Sequence, residues 1–257
     1  MSTCASLFNV KDKVAIITGA SSGLGVQFAE CLAQNGAKTV IMARRVEKLE
    51  EIAKNITADG GECFPIQCDV GELDDVKKAV AAIKEKYGRI DILVNNAGIA
   101  EFSTGVLDHT LEAWDRVMKC DLTAVFLMTR ECAYVMKENN YGKIINIASV
   151  GGIQANNLQT SYHAAKAGVI GFTKTAANSL AEHGITVNAI GPGVFVSEMT
   201  DQVKDAPAMV QIRERTAMKR FGNPGELNGA MLYFATDAST YTTGQSIFVD
   251  GGLTCSL

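Results

Sequence analysis

Tyr162 and Lys166 stand four residues apart in Tyr162-His163-Ala164-Ala165-Lys166. On a helix that spacing sets both on one face, about 6 Å apart along the axis. A phenol in water holds its proton well above neutral pH, and a neighbouring ammonium favours the phenolate. The pair therefore suits an acid/base that trades a proton with a reacting oxygen. Ser149 closes an apolar run upstream, where its hydroxyl can bond that oxygen and stabilise the charge that grows on it. Singly, each has a plain structural reading: a surface aromatic, a solvated helix charge, a strand-end cap.

A second chemical signal precedes them. Thr18-Gly19-Ala20-Ser21-Ser22-Gly23-Leu24-Gly25 follows an apolar run and opens a helical pattern. Gly19 suits the tight exit turn, Gly23 lets backbone approach a pyrophosphate, and Gly25 lets helix and sheet pack closely. Ser21, Ser22 and Leu24 fill the same turn, whose free N–H groups at the helix start face an anion. With a dinucleotide there, Lys166 also holds the nicotinamide ribose, and the set becomes a hydride-transfer site.

Where an acidic side chain would grip the adenosine 2'-hydroxyl of NAD, the chain has Ala43 followed by Arg44 and Arg45. A guanidinium at Arg44 can pair with a 2'-phosphate and stack on adenine, which predicts NADP(H) over NAD(H), with Arg45 beside it. Solvated charges at a helix start are the alternative for either arginine.

The elements needed to position these groups are visible in the pattern. Val14 to Thr18, Thr39 to Met42, Ile92 to Val94, Ile144 to Ala148 and Thr186 to Ile190 read as strands covered on both faces. Leu24 to Asn35, Glu47 to Ala58, Leu73 to Tyr87, Leu111 to Lys137 and Tyr162 to Glu182 carry helical spacing. Repeated βα units with right-handed crossovers predict an α/β, Rossmann-type, doubly wound parallel sheet of about seven strands, three-layered with helices on both faces. The 257 residues read as one dinucleotide-binding and catalytic domain. The stretch from about 194 to 220 breaks the rhythm and is expected to be a helical insertion over the carboxyl edge of the sheet, covering the substrate.

Composition narrows the partners. A formal charge of −4 offers no basic field for nucleic acid or an anionic membrane, so a small molecule or further copies of the chain are expected. The first residues lack a basic and apolar leader, and no apolar run is long enough to span a bilayer, so the expected address is the cytoplasm. Seven scattered cysteines form no C-x-x-C pair and three histidines do not join them at ligand spacing, which predicts reduced thiols and no metal.

Taken together, from about Lys11 to Gly252, these motifs resemble the short-chain dehydrogenase/reductase family. The resemblance implies a carbonyl reductase or alcohol dehydrogenase, commonly a homotetramer, with the chain end near Val249-Asp250-Gly251-Gly252 in a subunit contact. It implies that Asp69 contacts adenine, with Val70 beside it. Asn96, Ala97 and Gly98, within Asn95-Asn96-Ala97-Gly98, would line the nucleotide cleft, and Pro192, Gly193 and Val194 would border the nicotinamide. Two positions depart from the family pattern. Asp121 stands where the family usually has an asparagine that anchors a water leading protons toward the lysine. A carboxylate accepts from such a water but cannot donate as an amide does, and its charge favours protonated Lys166. Ser197 stands where a threonine often bonds the cofactor carboxamide, and it keeps the same hydroxyl.

Substrate identity is less legible. Family members acting on acyl-carrier-protein thioesters usually dock the acidic carrier on two arginines, at positions that hold Asn140 and His183 here. The C-terminal third, including Arg213 to Arg220 and Gly244-Gln245, resembles sugar-acid reductases of the gluconate type. Phe102, Phe195, Met199, Met209 and Met218 suggest an apolar wall for a steroid, bile acid or other bulky ketone, or else plain lid packing. A generic ketone or secondary alcohol ranks first. A non-catalytic dinucleotide-binding regulator is the alternative of another class, disfavoured by the presence of Ser149, Tyr162 and Lys166.

Overall fold

The computed structural model describes residues 4–99, 101, 105–196, 200 and 204–255. A short helix α1 (Cys4–Leu7) precedes β1 (Val14–Thr18), α2 (Leu24–Gln34), β2 (Lys38–Ala43), α3 (Val46–Ala58), β3 (Glu62–Gln67), α4 (Leu73–Tyr87) and β4 (Ile92–Asn95). Then come α5 (Leu111–Met118), α6 (Ala124–Glu138), β5 (Gly142–Ile147), α7 (Thr160–Leu180), β6 (Ile185–Pro192), α8 (Pro207–Arg215), α9 (Asn228–Ala235) and β7 (Ser246–Val249). The strands form one parallel seven-stranded sheet in the order β3-β2-β1-β4-β5-β6-β7.

The alternation of side chains along each strand builds the three layers. Ala15 and Ile17 of β1 join Phe28, Leu49 and Phe234 of α2, α3 and α9 in one core. Val14 and Ile16 face the other way, into a core shared with Ile83 of α4, Met136 of α6 and Ala176 of α7. Ile16 pairs with Val40 on one side and Leu93 on the other, and is wholly buried. Burying a side chain of that kind contributes about 1.5–3 kcal/mol.

Because all strands run the same way, their carboxyl ends meet on one edge. β1 is followed by β2 on one flank and pairs with β4 on the other, so the chain reverses its winding direction there and leaves a crevice between the two connections.

The sheet edges and one helix show features the pattern did not specify. β3 contains Pro65, which lacks an N–H and is tolerated because the strand lies at the sheet edge. β7, at the opposite edge, is only four residues long. The helix expected over Leu111 to Lys137 is interrupted by a π-helical turn at Lys119–Thr123, between α5 and α6. Within the 194–220 stretch, the described part contains α8, and Phe195 forms a parallel bridge with Gly222.

Candidate active site

The glycine turn leaves β1 in a conformation that side chains resist. Gly19 has φ +65°, and a Cβ there would lie 2.7 Å from Ala97 Cα. Thr18 locks the neighbouring connection: its hydroxyl accepts from Asn96 N and Ala97 N, both at 3.0 Å. Asn96 Nδ2 donates back to Thr18 O at 2.9 Å, so the Asn96 amide ties the end of β4 to the turn. Gly25 lies beneath, where a Cβ would meet Gly19 O at 2.5 Å, and Gly23 precedes α2 with φ +60°. These two glycines shape the turn and do not line the cleft above it.

That cleft measures about 860 Å³. Gly19, Ser21, Ser22 and Leu24 form one end of its floor, with Arg44 and Arg45 beside them. Arg45 reaches across to the turn, donating to Ser21 Oγ at 2.8 Å and Ser22 Oγ at 3.2 Å. Arg44 is exposed on the same rim, its carbonyl accepting from Gln67 Nε2. Asp69 and Val70 follow β3 into the cleft; Asp69 Oδ1 accepts from Gly71 N at 3.0 Å, leaving its other oxygen for a ligand amine. Asn96, Ala97 and Gly98 line the middle, and Pro192 and Gly193 close the far side. Val194 lies beyond the lining, its carbonyl accepting from Gly222 N. Ser197, Phe102 and Met199 lie outside the described residues.

Ser149, Tyr162, Lys166 and Asp121 enter the same cleft from three elements. Ser149 follows β5, and its Oγ accepts from Gly151 N at 3.0 Å. That bond leaves the hydroxyl proton free to donate toward the cleft. Tyr162 and Lys166 rise from α7, with Lys166 Nζ 5.5 Å from the centre of the Tyr162 ring. Lys166 Nζ donates to Ile147 O at 3.1 Å. It also lies 3.2 Å from Asp121 Oδ2, and both side chains are closed to solvent. The π-helical turn presents Asp121, whose Oδ1 accepts from Ile99 N at 2.7 Å. Such turns recur at functional sites because they re-aim one side chain without ending the helix.

Burial pushes the Asp121 carboxyl above its ordinary range, opposed by the Lys166 ammonium and the Ile99 N–H. Burial works against the Lys166 ammonium too, but Asp121 and Tyr162 outweigh it and hold Lys166 above its usual value. At neutral pH the ammonium therefore persists in a buried setting.

Sequence reasoning missed part of the rim. Glu101, Arg116 and Lys119 line the cleft, with Arg116 Nη2 donating to Glu101 Oε2 at 2.6 Å and Lys119 bonded to Glu72 at 2.5 Å. Their only signal was charge: Arg116 in the last turn of α5, Lys119 just after it and Glu101 in the connection before it. Two residues of the expected apolar wall lie elsewhere. Phe195 is 8% exposed and belongs to the core, its ring filling the space over Gly222, while Met218 points outward at 63% exposure. No group of three or more His, Cys, Asp and Glu side chains capable of holding a metal occurs among the described residues. No helix among them is long and apolar enough to cross a membrane.

With this geometry, the chain belongs to the short-chain dehydrogenase/reductase family and is an oxidoreductase. A family model described as enoyl-(acyl carrier protein) reductase matches residues 19–254. A 3-oxoacyl-[acyl-carrier-protein] reductase from Synechocystis sp. is 42% identical over 243 residues, covering 94% of this chain and 96% of that protein. Among solved structures, a short-chain type dehydrogenase/reductase from Mycobacterium marinum superposes with a TM-score of 0.93 at 37% identity, covering 98% of this chain and 100% of that one. A gluconate 5-dehydrogenase from Burkholderia cenocepacia, in complex with NADP and tartrate, gives a TM-score of 0.95 at 34% identity, covering 99% and 100%.

Proposed function

We propose that this protein is an NADP(H)-dependent enzyme that carries a hydride between nicotinamide and a ketone or secondary alcohol, with Tyr162 as the general acid/base. The observation that carries the reading is the convergence of Ser149, Tyr162 and Lys166 on the cleft that also receives the glycine turn. A dinucleotide fits these residues: Gly19, without a Cβ, lets the turn pack tightly on Ala97 at the cleft floor, and Arg45 with Ser21 and Ser22 groups donors suited to a 2'-phosphate. When bound, the nicotinamide supplies or accepts the hydride.

The chain's own residues do the rest. In the reducing direction, the Ser149 hydroxyl donates to the substrate oxygen and Tyr162 delivers a proton to it as negative charge develops there. Lys166, held by Ile147 O and Asp121, keeps a positive charge beside the phenol and favours its ionised form after that proton leaves. Asp121 takes the place of a neutral amide in this relay and holds Lys166 in its charged state. In the oxidising direction each step reverses.

For the substrate, the names of the relatives point in two directions, toward 3-oxoacyl thioesters and toward gluconate. Asn140 is exposed and uncharged, and His183 Nε2 lies 3.8 Å from the Glu182 carboxylate. Neither offers a fixed positive charge to an acidic carrier, which favours a ketone or alcohol presented free of one. The segment at 194–220 would cover it, and the assembly would be a homotetramer or homodimer in the cytoplasm, by analogy with the family.

The test is NADPH oxidation against a panel of 3-oxoacyl thioesters (carrier-bound and carrier-free), 5-ketogluconate, hydroxysteroid ketones and simple ketones. Turnover of at least one carbonyl is expected, with Tyr162→Phe losing about 10²–10⁴-fold in kcat/KM while NADPH binding persists. Binding of NADPH without turnover of any carbonyl would replace this reading with a dinucleotide-binding regulator.

A further inference from the structure

His163 follows Tyr162 on α7 and takes no part in the chemistry above. Its imidazole bridges two backbone groups of the segment that joins Ser149 to the helix. Nδ1 lies 2.8 Å from Gly151 O, and Nε2 accepts from Asn156 N at 3.2 Å. A carbonyl only accepts and a backbone N–H only donates, so this geometry requires the neutral ring with its proton on Nδ1.

The segment lies directly on the two rings. A Cβ at Gly151 would fall 2.8 Å from His163 Nδ1 and 3.3 Å from Tyr162 Cε1, so glycine is the residue that permits the contact. The Tyr162 and His163 rings meet edge to face with centroids 6.1 Å apart. Beyond the pinned residue, Asn156 Oδ1 accepts from Leu158 N at 2.8 Å, which fixes the next turn. Asn157 O then approaches Gly105, in the connection between β4 and α5 that also carries Glu101 of the cleft rim. One imidazole thus ties the segment that follows Ser149 to the helix turn that carries Tyr162.

We propose that His163 is a positioning residue that holds the segment 151–158 in place beside Ser149 and the Tyr162 ring, and releases it when the ring takes up a second proton. The proposal rests on the reading of Ser149 and Tyr162 as the reacting pair. A proton on Nε2 turns an acceptor into a donor facing the Asn156 N–H, so the bond is lost on acidification. Tyr162 is the titratable group in ring contact with His163, and Lys166 lies on the far side of that phenol, 5.5 Å from its centre. Tyr162 and Lys166 govern the proton transfer and hence kcat, whereas the His163 pin governs how well the substrate is seated.

Amide hydrogen exchange on the full-length protein reads the pin without needing turnover. In His163→Leu, protection of the Asn156 amide should fall by roughly tenfold, the scale of one lost hydrogen bond. On acidification the wild type should approach the variant, because a proton on Nε2 removes the acceptor for the Asn156 N–H. His163→Gln, which keeps a donor and an acceptor on one side chain, should restore part of the protection and lose its pH dependence. With the best carbonyl of the panel, KM for that carbonyl should rise roughly three- to tenfold in His163→Leu, with KM for NADPH unchanged. Unchanged Asn156 protection in His163→Leu, or a fall in kcat with the carbonyl KM unmoved, would overturn the proposal. Absence of turnover in the wild type would remove the enzyme reading instead, and the exchange measurement would still decide whether the pin exists.

Discussion

The Lys166 ammonium stands 3.2 Å from the Asp121 carboxylate, with 5% and 0% of the two side chains exposed. A buried pair of this kind gains little net stability, because both ions lose their water. On the proposed reading its value lies in the charge it maintains 5.5 Å from the centre of the Tyr162 ring. Asp121→Asn keeps the shape and removes that charge, leaving burial to lower Lys166 with less opposition. The alkaline limb of the kcat/KM profile should therefore move to lower pH in Asp121→Asn. A profile coincident with that of the wild type would deny Asp121 any role in the relay.

The same pair shapes stability against pH. Lys166 is raised in the folded state, so its contribution is complete below the pKa of an unfolded lysine and is lost as pH rises through the folded value. Asp121 is also raised, mainly by burial, so the folded protein binds that proton more readily than the unfolded chain and gains stability as pH falls through its folded value. Asp121→Asn removes the Asp121 coupling and takes away the main opposition to burial at Lys166, so the loss of stability as pH rises through the folded lysine value shrinks or reverses. Its thermal midpoint should lose the gain seen in the wild type as pH falls through the carboxylate range, and should no longer fall as steeply at the alkaline end, as scanning calorimetry across pH would report.

Gly98→Ala tests the geometry of the pair without touching either charge. The added methyl would sit 2.8 Å from Asp121 Oδ2 and 3.3 Å from Lys166 Nζ. One of the two must shift, and misplacing a group by about 1 Å at a reacting centre costs on the order of 10²-fold in rate. Activity should fall by that scale while far-UV circular dichroism is retained. Near wild-type kcat would mean that the contact between Lys166 and Asp121 is not needed for turnover.

Most of the frame that sets up these contacts was legible in the chain. Strands such as Val14–Thr18 are apolar on both faces because helices cover both, and periodicity reports that directly. The π-helical turn was not legible: apolar spacing continues from Val117 through Val125 to Met128, and one extra residue in a turn leaves no mark on propensity. Asp121 itself was the clue, a carboxylate in an otherwise inward-facing stretch. β3 stayed hidden because Pro65 argues against a strand until the edge position is known. Phe195 looked like a substrate wall because hydrophobicity does not say which side of a backbone a ring will pack against, and here Gly222 receives it. The His163 bridge depends on backbone atoms of Gly151 and Asn156, which are the same for every residue type and so carry no sequence signal.

Removal of the Thr18 hydroxyl should show how far the glycine turn depends on the end of β4. Thr18 is 2% exposed, and its Oγ1 is the acceptor for both Asn96 N and Ala97 N. Thr18→Val keeps the shape and strands two backbone donors, each costing about 1–3 kcal/mol where water cannot reach. The thermal midpoint should drop by several degrees and NADPH binding should weaken, since the turn and the cleft floor shift together. A variant as stable as the wild type would show that water replaces the hydroxyl.

On the proposed NADP(H) reading, cofactor choice should turn on Arg45 and its partners. The guanidinium donates to Ser21 and Ser22 on the turn, while Ala43 leaves no carboxylate to repel a phosphate or to hold a 2'-hydroxyl. Arg45→Ala should raise KM for NADPH and leave KM for NADH nearly unchanged, because the lost partner is the phosphate alone. A charge-assisted hydrogen bond contributes about 1.5–3 kcal/mol, and Arg45 is exposed, so the lower end applies: roughly tenfold in KM for NADPH. Arg44→Ala should add to this loss, and the double variant should approach equal use of the two dinucleotides. Steady-state kinetics with NADPH and NADH side by side decides the point. If the wild type already uses NADH as well as NADPH, the two arginines are solvated charges and the preference for the phosphorylated dinucleotide falls with them.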